Sequence, residues 1–105
     1  MDLSDYSDYE SVLKQAKHYY GNDTILLPST RKTKKYMIYN PQTNKYVHFG
    51  AMGYMDYTKY IQIFDLKTAN EHRSRYLKRA LNIKGNWENN IYSPNYLSIL
   101  LLWHF

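Results

Sequence analysis

The sequence predicts an α+β fold. One small domain carries an N-terminal helix, a central β-hairpin within a small antiparallel sheet, a basic helix and a short apolar C-terminal helix. Three observations predict it. Two runs, Lys35–Tyr39 and Lys45–Phe49, alternate with a period of two on either side of a turn. Apolar residues recur at helical spacing before and after that pair, over about 8–20 and 68–83. The 105 residues fit one domain, read as 1–105, with a helix and basic loop over 1–34 and a core over 35–103.

At the N-terminus, Ser7-Asp8-Tyr9-Glu10 has the spacing of a capping box, with the Ser7 hydroxyl on the N3 amide and Glu10 reaching back. Tyr9, Val12, Leu13, Ala16 and Tyr20 follow as one stripe, and Gly21 stands at the C-terminal cap position. Lys14, Lys17 and His18 form its solvated face. Asp23 to Pro28 is a short apolar run ended by proline, either a buried strand or an extended packing segment.

In the hairpin, Tyr36 and Ile38 share one side and Met37 and Tyr39 the other. In the second strand Lys45, Val47 and Phe49 lie opposite Tyr46 and His48. Asn40-Pro41-Gln42-Thr43-Asn44 is the turn, with Pro41 fixing φ and asparagine tolerating left-handed geometry. Gly50 and Gly53 let the chain leave the second strand sharply. Beyond them the pattern is ambiguous. Tyr54, Tyr57, Tyr60 and Phe64 suit a helical turn, whereas Ile61 and Ile63 suit a third strand.

Thr68-Ala69-Asn70-Glu71 reads as a second capping box, opening a helix with Tyr76, Leu77, Ala80 and Leu81 as its stripe, closed by Gly85. Asn86 to Tyr92 is a polar loop around Trp87. Ser93 then caps a last helix with Pro94 at its first position. Its residues Tyr96, Leu97, Leu100, Leu101 and Trp103 are apolar nearly all round. They need burial within the domain or against another subunit.

The net charge is +5, unevenly placed. Asp2, Asp5, Asp8 and Glu10 make an acidic head; the other ninety-five residues carry 14 basic and 5 acidic side chains, or +9. An acidic head on a basic body points to a negatively charged partner, or to a head that docks on a neighbour's basic face. The candidate anion, nucleic-acid or partner surface is Arg31, Lys32, Lys34 and Lys35 in the basic loop with Arg73, Arg75, Lys78 and Arg79 on the basic helix. Solvated charge is the plainer reading of both clusters.

The chemistry of an enzyme is missing. His18, His48, His72 and His104 are scattered without metal-ligand spacing, and no phosphate-binding glycine loop with its lysine occurs. The sequence offers no catalytic residues, metal ligands, cofactor or small-molecule substrate site. Asp56 reads as a cap or turn residue and His48 as a hydrogen-bonded structural histidine. With no cysteine, disulfides are excluded. The acidic first ten residues do not read as a signal peptide, and the longest apolar run, Ile99–Trp103, is far short of the ~20 residues that span a bilayer. The expected protein is therefore soluble and intracellular, or part of an intracellularly assembled particle.

The motif order carries a resemblance. His48-Phe49-Gly50 ends a strand pair. Tyr54, Asp56, Tyr57 and Thr58 follow as Tyr-x-Asp-Tyr-Thr, then Arg75–Arg79 as Arg-Tyr-Leu-Lys-Arg. Asn86-Trp87, Ser93-Pro94 and Leu101–Trp103 close the pattern. This resembles a family of small basic proteins of large double-stranded DNA viruses of the giant-virus and iridovirus kind. Between Lys59 and Asn70 that family has a charged run with His and Asp, where this chain has the more apolar YIQIFDLKTAN. The resemblance implies structural roles for His48, Phe49, Gly50, Tyr54, Asp56, Tyr57, Trp87, Pro94 and Trp103. It also implies a viral origin and no known enzymatic activity.

Two non-enzymatic functions are expected. The first is a virion-associated structural protein, of the minor capsid or cement type, in contact with other virion proteins or itself, in the virion or the infected-cell cytoplasm. The second is a viral nucleic-acid-binding protein that uses the basic loop and helix on phosphates, with tyrosines as stacking surfaces.

Overall fold

The computed structural model describes residues 2–103. The fold is α+β: four helices around a three-stranded antiparallel sheet. Helix α1 (Tyr9–Tyr20) comes first, followed by strands β1 (Leu26–Pro28), β2 (Lys34–Asn40) and β3 (Lys45–Ala51) in the spatial order β1-β2-β3. Helices α2 (Tyr57–Ile63), α3 (Leu66–Ala80) and α4 (Pro94–Ser98) complete the domain, and α4 runs on as a π-helical turn over Ile99–Trp103.

The hairpin forms as its alternation predicts. Tyr36, Ile38 and Phe49 are fully buried, and Tyr36 pairs with Phe49 and Ile38 with Val47 across β2 and β3. The turn is held by an Asx contact, Gln42 N–H to Asn40 Oδ1 at 3.0 Å, and Asn44 takes the left-handed φ of 56°. The apolar run before it is an edge strand, with Leu26 facing the core and its carbonyl accepting from the Tyr9 hydroxyl at 2.7 Å. Val12 and Ala16 seat α1 on the same core.

Both predicted capping boxes are displaced. Asp8, not Ser7, caps α1, its carboxylate accepting from the Ser11 amide at 3.2 Å. Ser7 is buried and its hydroxyl accepts from Tyr36 OH at 2.7 Å, so it is unavailable as a cap. Asp65 caps α3, accepting from the Thr68 amide at 2.8 Å, so the helix starts two residues before Thr68. It also stops at Ala80, where a tight turn closes on the Arg79 and Ala80 carbonyls. Leu81 therefore leaves the predicted stripe and is 56% exposed. The ambiguous segment after Gly53 is the helix α2, not a third strand.

The apolar C-terminus is covered by the domain itself. Leu97, Leu101, Leu102 and Trp103 all lie in the one core with Tyr36 and Phe49. Ser93 caps α4, its hydroxyl accepting from the Tyr96 amide at 3.2 Å, and Pro94 occupies the first turn, as its spacing predicts. Among the described residues no helix is long and apolar enough to cross a membrane.

Candidate nucleic-acid interface

The site rests on a buried polar frame. Lys35 is 3% exposed and its ammonium lies 3.3 Å from Asp56 Oδ2, itself fully buried. The second Asp56 oxygen accepts from the Thr58 hydroxyl, and the Asp56 amide donates to the Tyr6 carbonyl at 3.1 Å. The same carbonyl accepts from Lys35 Nζ at 3.4 Å. Thr58 Oγ1 in turn accepts from the Asp8 amide at 2.9 Å and lies 3.5 Å from Ser7 Oγ, which also meets Tyr36. The network thus ties the acidic head, the central strand and the start of α2 together. Burial pulls the Lys35 pKa down, against the opposing attraction of Asp56, and burial pushes the Tyr36 hydroxyl up.

Gly50 completes the frame. It has φ of +82°, and a Cβ there would come within 2.9 Å of Leu102 Cδ1 and 3.3 Å of Lys35 Cβ. Only glycine permits both this backbone and the approach of the C-terminal turn.

Above the frame opens a cleft of about 590 Å³ between the sheet end, the 52–55 loop, α3 and the C-terminal turn. Lys34, Arg75 and Arg79 supply its unpaired charge, Lys35 lines it with its ammonium turned to Asp56, and among the described residues lining it none is acidic. Its walls carry stacked rings. Tyr60 lies on His72 at 4.2 Å and 8°, and Tyr76 lies on Trp103 at 4.4 Å and 11°. Tyr60 and Trp103 meet at 6.0 Å, joining the two stacks. Arg75 Nη2 lies 3.3 Å from His72 Nδ1, which accepts when that nitrogen is unprotonated. Burial raises the Tyr76 pKa. Tyr54 stands apart at the mouth, 74% exposed.

The eight predicted surface cations therefore divide. Lys34, Arg75 and Arg79, from opposite ends of the core sequence, meet at one cleft. Lys35 leaves the predicted surface, because Asp56 holds its ammonium in the interior. Arg73 also serves the fold. Its Nε donates to the Trp103 carbonyl at 2.7 Å, and its guanidinium lies 5.9 Å from the Tyr57 ring centroid. Arg31, Lys32 and Lys78 are exposed but line no part of the cleft.

The residues marked by the motif pattern are mostly interior. His48 Nδ1 is 2.6 Å from Ser29 Oγ, as a structural histidine should be; burial, then the nearby Arg31 charge, lowers its pKa. Phe49 is core. Tyr57 donates to Asn70 Oδ1 at 2.7 Å, and Trp87 donates to the Ile83 carbonyl at 2.7 Å. Asp56 does occupy the N-cap position of α2, but its carboxylate makes no capping bond and serves Lys35 and Thr58 instead. The sequence reading missed Tyr60 and His72 as cleft rings. Their proximity across two helices is visible only once α2 folds against α3. Among the described residues no three His, Cys, Asp or Glu side chains gather to hold a metal ion.

Over residues 25–60 the chain matches a family of unknown function, DUF5754. That stretch holds the whole sheet and both partners of the Lys35–Asp56 pair. No curated protein and no solved structure matches the chain.

Proposed function

We propose that the protein is a non-enzymatic nucleic-acid-binding domain that takes backbone phosphates onto Lys34, Arg75 and Arg79. The observation that carries this reading is the convergence of those three cations, from a strand and a helix about forty residues apart in sequence, on one cleft without an acidic lining residue. Solvated charge alone gives no reason for them to share a concave, aromatic-walled surface.

The test is a labelled oligonucleotide titrated with three proteins at one salt concentration. In the Lys34→Gln/Arg75→Gln/Arg79→Gln variant, affinity should fall by about tenfold or more. The charge-matched control Arg31→Gln/Lys32→Gln/Lys78→Gln should lose much less, because its cations lie off the cleft. Equal losses from both triples would reduce the effect to net charge and reject the cleft.

A second reading, a component of a viral particle in contact with other virion proteins or itself, has one structural support. Ile61, Ile63, Phe64 and Leu66 follow one another through the α2–α3 corner, and each is at least 42% exposed. Such a patch suits a protein partner. Tyr6 and Ser7 bind the acidic head to its own chain, and its Asp2, Asp5 and Glu10 side chains stay exposed to a neighbour's basic face. The Ile63→Lys/Leu66→Lys variant should abolish self-association or recruitment to particles, and mass spectrometry of purified virions should find the wild-type protein there. Absence from particles rejects it.

A further inference from the structure

We infer that the cleft selects single-stranded over duplex nucleic acid, with Tyr54 as an open stacking platform for a base; this rests on the nucleic-acid reading of the same cleft. Among the described residues Tyr54 is the most exposed of the large apolar side chains, at 74%. Every other tyrosine bordering the cleft is already engaged: Tyr60 stacks on His72 and Tyr76 on Trp103. Tyr54 has neither a ring partner nor a hydrogen-bond partner among the described residues.

A large ring left open on a loop loses the benefit of burial unless a ligand covers it. The loop that presents it is set by two left-handed glycines, Gly50 on the frame and Gly53 immediately before Tyr54, with φ of +82° and +96°. The exposed ring lines the same cleft as Lys34, Arg75 and Arg79.

The combination decides between the two forms of nucleic acid. Cations alone serve a duplex and a single strand alike. An open ring beside them serves only a strand whose base faces are free, since a duplex stacks those faces on one another and offers edges and phosphates. The cleft's volume of about 590 Å³ suits entry of a base with its sugar and phosphate. One phosphate can then be reached from Arg75 and Arg79, which stand four apart on one face of α3, with Lys34 opposite on the sheet.

The experiment measures binding of a fluorescent ten-nucleotide oligo(dT) and of a blunt duplex of equal length, by anisotropy, to wild-type protein and to Tyr54→Ala and Tyr54→Phe. Tyr54 is exposed, so both variants should keep the wild-type melting temperature. The single strand should bind at least about tenfold tighter than the duplex. Tyr54→Ala should weaken the single strand by about 5- to 150-fold and leave the duplex unchanged, and Tyr54→Phe should restore most of the loss. Equal affinity for the two forms, or no effect of Tyr54→Ala on the single strand, overturns the inference while leaving the charged cleft standing. Failure to bind either form overturns both.

Discussion

Lys34 and Lys35 are adjacent in sequence and have opposite fates. Lys35 is 3% exposed and its ammonium is held by Asp56; Lys34 is half-buried on the cleft wall, with no carboxylate beside it among the cleft's described lining. The contrast extends to the regions around them. Beneath, each buried polar side-chain atom among the described residues has a hydrogen-bond partner. Above, the cations have no carboxylate among the cleft's described lining, and the Tyr54 ring is open. The lesson is a division of labour between a satisfied frame that fixes the backbone and an unsatisfied surface that can take a ligand. Polar groups of the first kind should govern stability and those of the second kind binding.

The largest effect expected is on the frame. Asp56→Ala leaves the Lys35 charge buried and unpaired, and should destabilise the fold by about 3–5 kcal/mol. Replacing both partners together, Lys35→Met with Asp56→Leu, should cost less than Asp56→Ala alone, because no charge is then left in the interior. Urea unfolding measures both. A double variant less stable than the single would show that the pair contributes net stability rather than mutual compensation.

Gly50→Ala comes next. The left-handed backbone costs about 1–2 kcal/mol for a residue with a Cβ. Crowding against Leu102 and Lys35 adds to it. Gly53→Ala serves as the comparison, since a Cβ there meets nothing within 4 Å and only the backbone strain remains. Equal losses at the two glycines would deny the close packing of the C-terminal turn.

Smaller again is the effect of acid on the helix caps. Hydrogen bonds from Ser11 hold the Asp8 carboxyl below its usual 3.8. A carboxyl lowered in the folded state binds fewer protons there than in the unfolded chain. Its contribution to stability is therefore present above 3.8 and is lost as pH falls through the folded value. Asp8→Asn should flatten that acid limb of the melting curve and cost a few tenths to about 1 kcal/mol at neutral pH, because asparagine also caps well.

How far the sequence disclosed this architecture depends on the range of the interaction. The hairpin was legible because its signal is local: alternation sets the faces, and Pro41 with two asparagines sets the turn. The C-terminal cap at Ser93-Pro94 was legible for the same reason. The two displaced caps show where local signals fail. Ser7 and Thr68 have the right spacing to Glu10 and Glu71, yet Ser7 is taken by Tyr36, twenty-nine residues away, and Asp65 captures the Thr68 amide first. Lys35 looked like one more lysine in STRKTKK because its partner is twenty-one residues further on. The cleft was half legible. Lys34, Arg75 and Arg79 were already among the candidate cations, but nothing local separates them from Arg31, Lys32 and Lys78. Helix α3, packed on α2 and the C-terminal turn across the cleft from the sheet end, makes that separation.

The smallest expected change is in the stability of the cleft variant. Surface substitutions at Lys34, Arg75 and Arg79 should each shift unfolding by no more than about 0.5 kcal/mol. That makes the division between frame and cleft testable in one titration: the affinity of wild-type protein and of Lys34→Gln/Arg75→Gln/Arg79→Gln for a single-stranded oligonucleotide across a series of salt concentrations. Each phosphate contact contributes about −0.7 to the log–log slope on a single strand. Wild-type protein should show a slope of about −2 or steeper, and the variant should be flatter by about 2 while still folded. A wild-type slope near zero, or a variant slope as steep as the wild type, would contradict the assignment of the cleft as the phosphate-binding surface.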